Sequence, residues 1–304
     1  MTDTPTFPTD DVLYRFLLEE AGVRGALVRL GSSWREVASR ADYPASLKSL
    51  LGESLAASAL LTGNIKLEGT LSVEFKSSGP LRLLFTECAD HGRLRGLARW
   101  HEPLPGSLDL GTMENALMAI TIGSAERGQR YQGLVSLDKP SLAQALEGYF
   151  TQSEQLPARI LLVADGDHAV GLMLQKMPGE GGHGGVSDDD AWNRVNHLTD
   201  TLTLAELAAT RPEELLFRLY HEENVRLFEP RMLAFGCSCS RERVQAMLRS
   251  LGREEVQAAL DARDGEIEVI CEFCAQRYTF DKVDAEQVLA ADPAAVPAAP
   301  TRLQ

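Results

Sequence analysis

The chain has no apolar run approaching the ~18 residues that a membrane-spanning helix requires, which excludes a transmembrane segment of that kind. Its start, Met1 to Asp11, is rich in Thr, Pro and Asp and lacks the basic and apolar parts of a secretory signal, so a cytoplasmic protein with no membrane partner is expected. Positive charge is scarce. With 30 Lys and Arg against 44 Asp and Glu, the formal charge of -14 repels phosphate backbones, and no nucleic-acid partner is expected. There is no GxSxG and no catalytic Ser/His/Asp order, and none of the six histidines stands four residues from another, so the sequence offers no enzyme site. With 25 Gly, 14 Pro and 44% hydrophobic residues the composition is that of a folded protein, not a fibre or a disordered chain. A length of 304 residues leaves room for two domains at about 150 residues each.

The first part of the chain predicts an α+β domain. A helical start is expected at Val12 to Glu20, an extended stretch at Val23 to Leu30, and a core helix at Ala45 to Leu61, where Leu47, Leu50, Leu51, Leu55 and Leu61 fall near helical spacing. Strands are expected at Gly69 to Lys76, Leu81 to Glu87 and Leu94 to Trp100, with turn signals at Ser78-Gly79-Pro80 and Asp90-His91-Gly92, a pattern that favours an antiparallel meander. More strands are expected at Ala116 to Ile122, Tyr131 to Val135, Ala158 to Ala164 and Ala169 to Met177, with a helix at Leu142 to Phe150.

The run from Pro178 to Asp190 marks a boundary. Gly179 to Gly184 matches GxGxxG, but Pro178 precedes it and three aspartates follow, so the composition predicts a flexible surface loop and not a nucleotide site. Beyond it, Trp192 to Glu223 reads as helical, with capping-box patterns at Thr203/Glu206 and Thr210/Glu213. Leu204, Leu207, Leu215, Leu216 and Leu219 need a partner surface. Permanent packing on the first domain and conditional packing both satisfy that need. After Phe235, Ser240 begins a helix carrying Val244, Met247, Leu248 and Leu251, stopped by Gly252; a second helix spans Arg253 to Ala262, a strand spans Glu266 to Ile270, and Tyr278 to Phe280 returns. Pro293 to Gln304 is an Ala/Pro-rich tail.

Four of the five cysteines lie in two tight pairs, Cys237/Cys239 and Cys271/Cys274. Cytosolic thiols stay reduced, so such pairs are metal ligands or redox devices rather than permanent staples. Two pairs on separate loops supply the four sulfurs that close a tetrahedral Zn²⁺ site. A thioredoxin-type CxxC would need to open a helix, whereas here a strand leads in and another leads out. The tighter CxC brings its sulfurs within reach of each other, so a purely structural zinc site and a site able to form a local disulfide both remain open. Arg241 and Arg243, just after the CxC, favour thiolate character or are ordinary exposed helix residues. Metal loss would matter: zinc contributes about 10 to 16 kcal/mol to finger-sized folds, against about 5 to 15 kcal/mol for the stability of an ordinary domain. A disulfide closing a three-residue loop is worth only about 1.6 kcal/mol.

The motifs Phe235-Gly-Cys-Ser-Cys-Ser-Arg-Glu-Arg243 and Gly265-Glu-Ile-Glu-Val-Ile-Cys-Glu-Phe-Cys274 closely resemble those of the 33 kDa chaperonin family, the bacterial redox-regulated heat-shock holdases. The resemblance extends to Leu219-Tyr-His-Glu-Glu223, Tyr149-Phe-Thr-Gln-Ser-Glu-Gln-Leu-Pro157, Arg130-Tyr-Gln-Gly133 and Val23-Arg-Gly25, and departs at the Gly-rich loop and the tail. It implies an ATP-independent chaperone, inactive when reduced, with one Zn²⁺ per chain on Cys237, Cys239, Cys271 and Cys274. Hypochlorous acid, or peroxide with heat, would form Cys237-Cys239 and Cys271-Cys274 disulfides, release the zinc and unfold the linker. The implied partners are unfolding client proteins, a second copy on activation, and an ATP-driven foldase that takes the clients over.

The expected organisation is an N-terminal α+β core with an antiparallel-rich sheet and packed helices over 1–178, the Gly-rich loop and helical linker over 179–230, a small zinc-binding redox-switch domain over 231–292, and a tail over 293–304. A structural zinc-ribbon binding module and a thiol oxidoreductase using Cys271/Cys274 are the alternatives. Cys88, with no close partner, reads as a buried packing residue. His221 reads as a charge at a helix C-terminus.

Overall fold

The computed structural model describes residues 10–64, 69–124, 130–178 and 190–290; nearly all of the expected Gly-rich loop and the whole tail lie outside the described residues. The chain divides into two compact units, 1–236 and 237–304.

In the first unit, strands β1 (Val12–Leu18) and β2 (Val23–Leu30) lead into the short helix α1 (Ser32–Ala38) and the long helix α2 (Ala45–Asn64). There follow β3 (Gly69–Lys76), β4 (Leu81–Ala89), β5 (Arg93–Trp100), β6 (Leu117–Ser124), β7 (Arg130–Val135), α3 (Leu142–Tyr149), β8 (Ala158–Ala164) and β9 (Ala169–Lys176). Helices α4 (Ala191–Asp200), α5 (Leu204–Ala209) and α6 (Pro212–Tyr220) come next, and then three short strands, β10 (Val225–Leu227), β11 (Arg231–Met232) and β12 (Ala234–Phe235). One sheet runs β10-β1-β2-β9-β8, with β11 also on β1, all antiparallel; the other runs β12-β5-β4-β3-β6-β7, antiparallel except for β12 on β5. Among the described residues no helix is long and apolar enough to cross a membrane.

Helix α2 packs on both sheets and is buried on nearly every side. Its Ala, Ser and Gly residues allow this close approach: a Cβ at Gly52 would lie 2.4 Å from the Cβ of Ala164. The hydroxyls buried with it are satisfied locally, Ser58 donating to the Leu55 carbonyl at 2.8 Å and Thr62 to the Ser58 carbonyl at 2.6 Å.

The first sheet is apolar on both faces. Leu13, Ala26, Val28 and Met173 face the α2 core, while Val12, Tyr14, Phe16, Leu18, Leu27, Val170, Leu172 and Leu174 form a second core with Val195, Leu207, Leu215, Leu216 and Tyr220 of α4 to α6. This corrects the helical start expected at Val12 to Glu20: a strand buried on both faces is a continuous apolar run, whose periodicity cannot separate it from a helix. The linker helices are held by polar bonds as well. Tyr14 donates to Glu213 at 2.6 Å, the Thr199 and Tyr220 hydroxyls are 2.8 Å apart, and Arg194 forks onto the buried Glu223 at 2.6 and 3.0 Å.

The capping box at Thr203/Glu206 is present in full. That expected at Thr210/Glu213 is not. Pro212 takes the first helical position of α6, which makes Arg211 the N-cap and leaves Thr210 as the C-cap of α5.

Residues 231–236 cross from one sheet to the other. Leu233 N–H donates to Asp11, Ala234 N–H to Gly92 and Gly236 N–H to Leu94, at 2.7, 3.0 and 3.0 Å. Gly92, at φ +85°, lies so close beneath this strap that a Cβ there would sit 2.3 Å from the Met232 carbonyl oxygen.

In the second unit, α7 (Arg241–Leu251) and α8 (Arg253–Asp261) precede the hairpin β13 (Glu266–Ile270) and β14 (Arg277–Asp281), and α9 (Lys282–Ala290) closes it. Its core is small: Val244, Leu248, Val256, Leu260, Ile267, Phe280, Ala285 and Val288. Units of this size usually need a staple or a metal.

Candidate metal centre

Two backbone devices present the cysteines. After Cys239, Ser240 caps α7 by accepting the Arg243 N–H at 3.3 Å, which ends the CxC segment at a fixed point. At the end of β13 the CxxC folds into a tight turn: Ala275 N–H donates to the Cys271 carbonyl at 2.7 Å, Cys271 N–H to the Gln276 carbonyl at 2.9 Å, and Ala275 is left-handed at φ 58°. Both pairs thereby turn their sulfurs to one place.

All four Sγ atoms lie within 4.8 Å of one another, and all four are half-buried. Cys237 Sγ is 3.6 Å from Cys271 Sγ and Cys239 Sγ is 3.3 Å from Cys274 Sγ, so each pair of the sequence meets the other. No disulfide joins any of the described cysteines. A tetrahedral ion with bonds of about 2.3 Å to sulfur needs its ligands about 3.8 Å apart, and this set of four sulfurs with no carboxylate fits such an ion.

The electrostatics also call for a cation. Burial works against a thiolate at Cys237, but the Cys239 N–H and the thiols of Cys239, Cys271 and Cys274 outweigh it and bring the group down to about 7. Burial raises Cys271. Burial and then the neighbouring thiols push Cys274 up to about 12. One thiolate is therefore easily formed, while further negative charge is opposed until a cation compensates it.

Tyr278, on β14, donates its hydroxyl to Cys239 Sγ at 3.1 Å, and that bond is the leading cause of its own rise to about 12. The sequence marked Tyr278 only as a strand residue. Of the two arginines after the CxC, Arg241 turns away, lying 4.3 Å over the Phe280 ring and bonding Asp284 at 2.9 Å, while Arg243 donates to the Ser238 hydroxyl between the two cysteines at 2.7 Å. His221 stands at the C-cap of α6 with Nδ1 3.0 Å from the Phe217 carbonyl oxygen. Cys88 is buried in β4, and burial raises its thiol pKa.

The family model described as Hsp33 protein matches residues 11–281. The 33 kDa chaperonin of Nitrosococcus oceani is 47% identical over 279 residues, covering 91% of this chain and 94% of its own length. That of Azotobacter vinelandii is 46% identical over 297 residues, covering 95% and 98%. A crystal structure of the 33 kDa chaperonin (heat shock protein 33 homolog) from Thermotoga maritima superposes with a TM-score of 0.77 at 21% identity, over 92% of this chain and 97% of that one, a likeness of fold. Since the match runs from β1 through β14 and includes all four clustered cysteines, the chain belongs to the Hsp33 family, a family of chaperones and not of enzymes.

Proposed function

We propose that the protein is a redox-switched, ATP-independent holdase of the cytoplasm that binds unfolding proteins under oxidative stress. The observation that carries this reading is the gathering of four cysteine sulfurs within 4.8 Å of one another, in a unit whose own apolar core is small. Cys237, Cys239, Cys271 and Cys274 would hold one Zn²⁺, which supplies a cross-link between two loops and compensates the thiolates. In the oxidised form Cys237 pairs with Cys239 and Cys271 with Cys274. In forming each S–S bond a pair of thiolates gives up two electrons, which hypochlorous acid takes up with one proton from solvent to become chloride and water, and the Zn²⁺ loses its ligands. Neither bridge joins the two loops, so the second unit loses its cross-link and unfolds.

The client surface is the face that α4 to α6 cover. The helices bury five apolar side chains on the first sheet, and their release would expose the sheet's Tyr14, Phe16, Leu27 and Leu172 together with their own leucines. In this reading 1–178 is the chaperone core, 179–230 the conditional linker, 231–292 the switch domain and 293–304 a tail; the active form dimerises and passes its clients to an ATP-driven foldase. Light scattering of a heat-unfolding client tests it. The oxidised protein is expected to suppress aggregation without nucleotide and the reduced protein to suppress little, while catalytic reduction of insulin disulfides by the reduced protein would favour a thiol oxidoreductase instead.

A further inference from the structure

Helix α2 carries one acidic residue, Glu53, and it points to a second site far from the cysteines in sequence. Glu53 lines an open cavity of about 330 Å³ bounded by α2, the 106–110 segment and the start of α3. Leu50, Leu108 and Leu142 line it on equal terms with the serines Ser46, Ser49, Ser107 and Ser141. Glu53 is the sole ionisable group among the lining residues. Ser49 donates to its Oε1 at 3.1 Å, and among the described residues no Lys, Arg or His forms an ion pair with it. Burial pushes the carboxyl up to about 7, only partly offset by Ser49. A half-buried carboxylate without a countercharge, opening on a cavity lined by leucines and serines, offers a place for a cationic partner.

We propose that the cavity binds a cation on an alkyl stem, either a protonated free alkylamine or the side chain of a lysine in a polypeptide, with the ammonium group on Glu53 and the stem against Leu50, Leu108 and Leu142. A neutral group of the same size gains at most a hydrogen bond from the carboxylate and an anion is repelled by it, so the site selects by charge. Because the cation favours ionised Glu53, binding expels a proton wherever the free group is protonated: affinity is expected to be level above pH 7 and to fall towards about tenfold per pH unit well below it.

The test is an NMR titration of the reduced full-length protein, following the Glu53 carboxyl carbon and the amides of α2, with n-butylammonium, with acetyl-Ala-Lys-Ala-amide, and with n-butanol as the neutral control at constant ionic strength. The expected result is saturable shifts with either cation and far weaker ones with butanol, and, with the cations alone, a fall of at least about one unit in the Glu53 titration point at saturation. Tighter binding of butylammonium would identify a free amine as the ligand; tighter binding of the peptide would identify a polypeptide side chain. Glu53→Gln is expected to abolish the shifts. Ser49→Ala, which keeps the carboxylate, is expected to weaken them several-fold, so the outcome does not hang on one variant. Absence of saturable shifts up to about 20 mM of either cation, or shifts unchanged in Glu53→Gln, would overturn the proposal.

Discussion

Leu216→Ala probes how firmly the linker is held. Leu216, on α6, is 3% exposed and belongs to the core shared by α4 to α6 and the first sheet. Truncating a buried leucine costs about 2 to 5 kcal/mol. If α4 to α6 open as a unit without unfolding the sheets, the whole cost falls on the opening step. The open fraction in the reduced protein should then rise by roughly 30-fold to a few thousand-fold. Leu51→Ala is the control: Leu51 is fully buried in the α2 core, where the same loss weakens the sheets instead. Hydrogen exchange at pH 7 with reduced, metal-loaded protein should show faster exchange confined to α4, α5 and α6 in Leu216→Ala, with partial suppression of client aggregation before any oxidant is added. In Leu51→Ala the linker should exchange no faster than the sheets permit. If Leu216→Ala accelerates exchange in β1, β2 and β9 as much as in α6, the linker opens only with the whole unit and the conditional cover is refuted.

Metal binding should depend steeply on pH. With Cys271 and Cys274 raised above the ordinary thiol value, loading at neutral pH releases at least two protons, so affinity is expected to fall about a hundredfold per unit on acidification; a chelator competition with no change between pH 8 and 6 would contradict this. Glu53 titrates near 7 in the fold against 4.5 ordinarily, so its ionisation opposes folding, and the stability present below about pH 4.5 is lost as pH rises through 7. Glu53→Gln should accordingly be neutral at pH 4.5 and stabilising by up to about 3 kcal/mol at pH 8 in urea unfolding, and equal effects at both pH values would contradict the assignment. Gly92→Ala forces a Cβ against the Met232 carbonyl oxygen at φ +85° and should cost at least about 1 to 3 kcal/mol. Cys88→Ser should leave the metal content at one equivalent while lowering stability by about 1 to 3 kcal/mol, because it buries an extra hydroxyl; loss of the metal would place Cys88 in the site.

Much of this was legible in the residues. The bounds of β3, β8 and β13 coincide with the expected strands because Gly, Pro and Asp clusters fence them. β1 was not legible as a strand, since Tyr14 and Leu13 serve different cores and leave no polar face to reveal the alternation. α1 is too short to show a period, and the strands β10 to β12 hold only two or three residues each. At the metal centre the spacing of the cysteines was sufficient, because two close pairs on separate loops have few other uses. Tyr278 escaped because its hydroxyl reaches the site through the hairpin register, and Glu53 because one acid in an apolar helix carries no pattern.

The strap at residues 231–236 sets the topology of any opening. Its amides are fastened to Asp11, Gly92 and Leu94, so the linker has a fixed point at its far end, while β9 fixes the near end at Lys176. Should α4 to α6 detach with the strap in place, they would leave as a closed loop and not as a free tail. The ends of such a loop stay at the rim of the surface it uncovers, and closing it again costs entropy that grows only with the logarithm of its length. Recovery would then be a first-order process, independent of protein concentration, and a cut at Arg211 would turn it into a search by two loose strands.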